Sequence, residues 1–267
     1  MDPLGIRFDH VDGLVLKLVL TPALIGAVSI AGRRWGPGMS GWLVGFPLTS
    51  GPIAFILALE HGVEFAAAAA AGSMAGASAQ AAFCVAYGRS AGRWHWGPAL
   101  LAGSLAFAAA AVALRSLTLP VVPLALAVVV ALVAALRLMP ADGRARRKAT
   151  LPRWDLPARV VVTTAVVLVL TGVAHVLGPQ LTGLLATFPL YGAILAGFAH
   201  HLQGPGPAIR VLRGLLLGLF AFAGFFFVLA MLLERVGIAG GFAAAIAAVL
   251  ALQGGALWAL RRALRRA

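Results

Sequence analysis

The stretch Gly36-Pro37-Gly38-Met39-Ser40-Gly41-Trp42-Leu43-Val44-Gly45-Phe46-Pro47-Leu48 returns without gaps 142 positions downstream, as Gly178-Pro179-Gln180-Leu181-Thr182-Gly183-Leu184-Leu185-Ala186-Thr187-Phe188-Pro189-Leu190. Seven of the thirteen positions are identical, and Ser40/Thr182 and Met39/Leu181 are conservative exchanges. The same offset pairs Gly62 with Gly204, Gly72 with Gly214, Gly76 with Gly218, Phe83 with Phe225 and Arg93 with Arg235. An apolar chain built from two copies of one unit is a signature of transporter-like membrane architectures.

Composition points the same way. The 267 residues are 61% hydrophobic and 11% charged, with a mean hydropathy of +0.98, against about 25% charged residues in soluble domains. So much apolar surface calls for lipid as the main solvent. The net charge of +13 does not argue for nucleic acid, because the basic residues fall in short loops between apolar runs, where the topology rule for membrane proteins places them. The single cysteine, Cys84, lies in an apolar run; it excludes an intrachain disulfide and reads as inert packing. The N-terminus carries Asp2, Asp9 and Asp12 beside Arg7, unlike the basic start of a cleavable signal peptide.

Apolar runs of about 20 residues predict nine transmembrane helices, over 13–32, 39–60, 63–87, 98–115, 119–138, 158–177, 180–202, 208–233 and 238–260. Pro120 and Pro123 favour a break between the fourth and fifth. With the N-terminus outside and the C-terminus in the cytoplasm, 17 of the 21 Lys and Arg residues fall on the inner side, and only Arg7, Lys17, Arg115 and Arg235 fall outside. The location implied is a bacterial inner membrane.

The expected fold class is therefore an all-α, polytopic membrane helix bundle. Residues 1–115 form a first membrane repeat, 116–157 a connector helix and basic cytoplasmic loop, and 158–267 a second repeat with a basic C-terminal tail. Equivalent spans are five apart, an odd number, so the two four-helix copies should cross the bilayer in opposite directions. Inverted repeats are the structural basis of alternating access in many transporters.

Pro47 and Pro189 are expected to interrupt the second and seventh spans, which frees backbone groups to meet a polar guest. The candidate substrate-binding residues are Ser40, Phe46, Pro47, Thr49, Ser50, Thr182, Thr187, Phe188, Pro189 and Tyr191. Gly72-xxx-Gly76 and Gly214-xxx-Gly218 read as packing seams. Ionisable residues within a membrane are costly and usually functional, yet none of the eight carboxylates is expected near mid-membrane. Glu60, with His61 and Glu64, reads as a solvated loop, with a cation vestibule as the alternative. Lys17 and Arg159 occupy equivalent positions and are expected to snorkel to the interface, an anion-binding role being the alternative. His175 and the pair His200-His201 lie near helix ends, where interfacial placement or proton relay both fit. No spacing suggests a metal, no cofactor is implied, and no catalytic motif stands out.

The repeated Gly41-Trp42-Leu43…Phe46-Pro47 and Gly183-Leu184-Leu185…Phe188-Pro189, together with Lys17 and Arg159 in the first helix of each copy, resemble the GlpM-type family of small four-span bacterial membrane proteins. The resemblance covers roughly 40 residues per half. It implies two such units fused through the fifth span and leaves the activity open. Four-span units that work as antiparallel pairs are also similar to small multidrug exporters, but the central glutamate of those exporters has no counterpart here. The expected function is a permease or exporter of a small polar or anionic solute, with membrane lipids as surroundings. The alternative is a non-transporting scaffold or regulatory subunit of an envelope complex, and a homo-oligomer is compatible with either.

Overall fold

The computed structural model describes residues 10–48, 50–115, 119–140, 152, 154–169 and 187–264, and the side chains among them between 21 and 253. The described residues are helical, with no strand. In chain order the helices are α1 (His10–Trp35), α2 (Pro37–Val44), α3 (Ser50–His61), α4 (Val63–Ala91), α5 (Trp96–Arg115), α6 (Val121–Leu138), α7 (155–169), α8 (Leu190–Gln203) and α9 (Pro205–Leu264). Four of them are long and apolar enough to cross a membrane: Val63–Ala91, Trp96–Arg115, Val121–Leu138 and Pro205–Gln253. On α5 and α6, Leu101, Leu105, Leu126 and Val130 point outward and exposed, as suits helices whose outer face meets hydrocarbon.

The duplication reaches the level of element boundaries. α3 ends at His61 and α8 at Gln203; α4 begins at Val63 and the first arm of α9 at Pro205, each pair 142 apart. The glycines between them match as well: Gly62 has φ 87° and Gly204 φ 91°, a region a side chain seldom tolerates. α5 starts at Trp96, and the second arm of α9 starts 142 residues on, just past a non-helical Gly237 with φ 74°. That residue is a hairpin rather than a gentle bend. A straight helix would set Phe225 and Phe242 about 25 Å apart, yet their ring centroids are 6.2 Å apart. A Cβ on Gly224 would lie 2.7 Å from the Leu252 side chain. The expected spans 208–233 and 238–260 are these two arms.

Within the second expected span the sequence reading has Pro47 interrupting one helix; the structure shows a complete break. The chain leaves helix over 45–48 and restarts at Ser50. Pro47 has no N–H to continue the ladder, while its carbonyl accepts the Gly51 N–H at 2.9 Å and so opens the next helix. The equivalent bond, from the Ala193 N–H to the Pro189 carbonyl at 2.8 Å, opens α8. One sequence motif thus makes the same helix start twice.

α4 and the first arm of α9 form the centre of the bundle. They run antiparallel: Met139, at the end of α6, has its side chain against Gly88 near the end of α4, and its carbonyl accepts from Arg213 near the start of α9 at 3.2 Å. α2 lies along α9 with almost no side chain between them. A Cβ on Gly45 would stand 2.6 Å from the Gly218 Cα, while one on Gly41 would collide with the Val211 carbonyl and one on Gly214 with the Gly38 carbonyl. The seam expected at Gly214-xxx-Gly218 is therefore present, closed by Gly38, Gly41 and Gly45. Gly76 faces Thr187 instead, and nothing lies within 4 Å of a Cβ on Gly72.

One end of the bundle is strongly basic. Arg89 Nε donates to the Leu138 carbonyl at 3.1 Å, Arg213 caps Met139 beside it, and Arg33 and Arg159 meet on Asp155. Trp35, Trp94, Trp96 and Trp154 are exposed on the helix ends and connections of this same end. Arginine with exposed tryptophan is the pattern of a helix end at a membrane interface.

Candidate functional site

The two Phe-Pro breaks meet. A cavity of about 230 Å³ is lined by Phe46 and Ser50 from the first break and by Thr187, Phe188, Pro189 and Tyr191 from the second. Six of the ten residues singled out from the sequence thus share one site, although 142 residues separate the copies. Its remaining wall comes from α2, α3, α4 and α9, including Leu57, Ser73, Gln80, Leu215 and Leu219. The break holds the ring of Phe188 edge-on against Phe83 at 5.6 Å and Phe107 at 5.3 Å, and Phe46 packs edge-on against Trp42 at 4.8 Å. Rigid aromatic walls on both sides give the cavity a defined shape.

Its polar groups are few and mostly committed to the fold. Tyr191 donates to Thr21 Oγ1 at 3.2 Å, and Ser73 donates to the Ala69 carbonyl one turn earlier at 2.9 Å. Gln80 differs. It is buried at 9% exposure and lines the cavity. Two N–H donors and a carbonyl acceptor in an apolar wall can read a polar guest by hydrogen bonding. Among the described residues no carboxylate lines the cavity.

The other residues singled out from the sequence lie elsewhere. Ser40 is buried on α2, where its hydroxyl donates to the Pro37 carbonyl at 2.7 Å, and it faces a separate cavity. Pro47 starts α3 without lining the central cavity. Thr49, Thr182 and His175 lie outside the described residues, as does the Lys17 side chain on α1. Glu60 is half exposed at the end of α3, 3.9 Å from the half-exposed His61.

Arg159 does not snorkel. Its side chain is 8% exposed, and its Nε donates to Asp155 Oδ1 at 2.7 Å, while Arg33 Nη2 donates to Oδ2 at 3.1 Å. Asp155 is itself fully buried. The guanidinium of Arg159 also lies 5.5 Å over the Phe198 ring. Close by, Tyr87 on α4 and His200 on α8 form a buried hydrogen bond, with 3.2 Å between the hydroxyl and Nδ1. His201 instead stands edge-on to Trp96 at 6.2 Å.

Sequence reasoning missed Gln80, Asp155 and the Tyr87–His200 pair. Gln80 carried a usable signal, as the lone amide side chain in the run 63–91. Asp155 stands one helical turn before Arg159, the spacing at which opposite charges pair on a helix. Nothing in the sequence pairs Tyr87 with a residue 113 positions away.

Among the described residues no group of three or more His, Cys, Asp and Glu is arranged to hold a metal. Comparison with protein-family models, with curated proteins and with solved structures returns no match. The class that fold and composition define is an all-helical protein with helices apt to cross a membrane. Within that class, the site is a small, mainly apolar cavity where two helix breaks converge.

Proposed function

We propose that this chain is a nine-span integral protein of a bacterial inner membrane, a permease or exporter for a small polar or anionic solute. In this reading its copies are inverted, its N-terminus is outside and its C-terminus is cytoplasmic. The observation that carries the proposal is the convergence of both Phe-Pro breaks on one cavity that also holds Gln80. Broken helices meeting between two repeats are the arrangement in which many transporters hold their solute, and irregular backbone at membrane depth is tolerated where it lines a cavity.

Inversion is supported by the antiparallel course of α4 and the first arm of α9, which are equivalent elements of the two copies. It is also supported by the gathering of Arg33, Arg89, Arg159 and Arg213 at one end, which then faces the cytoplasm. Exchange of the two copies' conformations would open the cavity to each side in turn. The GlpM-type resemblance fits the four-helix unit and is proposed with it.

The test is flux in liposomes of purified protein, with a panel of small neutral and anionic solutes. Wild type should pass at least one solute, and Pro47→Ala combined with Pro189→Ala should slow it. A protein that passes none of the panel and co-purifies with a fixed partner is a scaffold instead.

A further inference from the structure

A second cavity, of about 380 Å³, opens at the basic end, lined among others by Ser29, Arg33, Arg34, Ser40, Arg159 and Gln203. We infer that it is an oxyanion site, built to hold a phosphate-type group. The cavity is distinct from the central one. Along α8, Tyr191 lines the first and Ala199 the second; along α9, Leu219 lines the first and Val211 the second. Eight residues of α8 separate them, about 12 Å, while on α9 Leu215 of the first stands one helical turn from Val211 of the second.

Three features give the site its chemistry. Three arginines line the cavity, the Arg34 guanidinium lying 5.6 Å over the Trp35 ring, while a single buried carboxylate, Asp155, stands against the other two. The balance of these groups is two positive charges. Among the described residues Asp155 takes only Nε of Arg159 and one terminal nitrogen of Arg33, so it fixes both guanidiniums while leaving further N–H donors for a guest. Guanidinium forks match the spacing of phosphate oxygens.

The hydroxyl of Ser29 supplies the second, independent sign. Ser29 is 2% exposed, lines the cavity, and its Oγ has no hydrogen-bond partner among the described residues. A buried hydroxyl without a partner is costly, and it gains one when a rotamer change turns it toward an acceptor oxygen in the cavity. α2 also begins on this wall, at Gly36-Pro37, so its N-terminal dipole favours an anion there.

The phosphate-type group belongs either to a soluble solute or to the headgroup of an anionic lipid, since the chemistry is shared. Binding at this site is measurable whether or not the protein moves a solute, so its failure and the failure of transport are separate results. The full-length protein is purified in neutral detergent and its thermal midpoint followed as inorganic phosphate is added, against sodium chloride at equal ionic strength. A parallel arm uses nanodiscs of phosphatidylcholine with and without phosphatidylglycerol.

The site is expected to bind in at least one arm, with Ser29→Ala and Arg34→Ala each weakening the response about tenfold. Neither residue contacts Asp155, and Ser29→Ala removes a hydroxyl that makes no bond, so both variants should fold. Phosphate binding in detergent identifies a soluble guest; a response to phosphatidylglycerol alone identifies a lipid headgroup. A response to neither probe, or one that both variants retain in full, overturns the site.

Discussion

Gly45 and Gly218 meet backbone to backbone, with a Cβ on either standing within 2.7 Å of the other's Cα. Exchanging the copies turns this pair into Thr187 and Gly76, and these two also touch: a Cβ on Gly76 would lie 3.3 Å from the Thr187 side chain. The same pair of positions is thus in contact in both senses of the 142-residue offset. The joint between the copies is therefore made twice, once as glycine on glycine and once as threonine on glycine.

Gly218→Ala should be strongly destabilising, because the added methyl meets backbone, which cannot swing aside as a side chain can. Overpacking of this kind costs about 1–3 kcal/mol, read as a lower thermal midpoint in detergent. Gly72→Ala is the control. Nothing lies within 4 Å of its Cβ, so it should be neutral or stabilising by up to ~1 kcal/mol of helix propensity. Equal losses in both variants would refute the close approach.

Gln80→Leu should leave the thermal midpoint unchanged or higher, since it replaces a buried amide by an apolar side chain of similar size. Solute flux in liposomes should fall about tenfold, the effect of losing ~1.4 kcal/mol of hydrogen bonding to the guest. Full flux in this variant would remove Gln80 from the site.

Asp155→Asn should cost about 3–5 kcal/mol, because it leaves the buried Arg159 guanidinium without its counter-charge. Arg159→Met is expected to be milder, as Asp155 keeps Arg33. Combining Arg159→Met with Asp155→Leu should recover part of the loss. Additive losses in this double-mutant cycle would mean that the two residues do not act as a pair.

Opposite labelling is expected at His61 and Pro205, which flank the equivalent glycines Gly62 and Gly204. In cells with Cys84→Ala, a cysteine at His61 should react with an impermeant thiol reagent added outside. One at Pro205 should react only in inside-out vesicles. Both side chains are exposed, so burial does not bias the comparison. Labelling from the same side would put the two copies in parallel.

Much of this organisation was legible in the residues. The 142-residue offset predicts both Phe-Pro starts, both junction glycines and the beginning of each following helix, because hydrogen-bond loss at proline and positive φ at glycine are local effects. Six of the ten predicted site residues converge for the same reason, since each stands within four residues of a helix start that the motif itself makes. Ser40 was misplaced because its hydroxyl bonds to its own turn, and the face it presents depends on how α2 rolls against α9.

Sequence alone determined the class of solvent, the duplication and the places where helices stop, since each follows from composition or from a few neighbouring residues. Tertiary structure decided what those helices enclose. Gln80 became a cavity wall because two breaks from distant parts of the chain face it. Asp155 became a junction of charge because α1 brings Arg33 to it across 122 positions. Gly45 and Gly218 met because only glycine lets two helices close to backbone contact. Packing between elements far apart in the chain carries no local signal, and here that packing makes the sites.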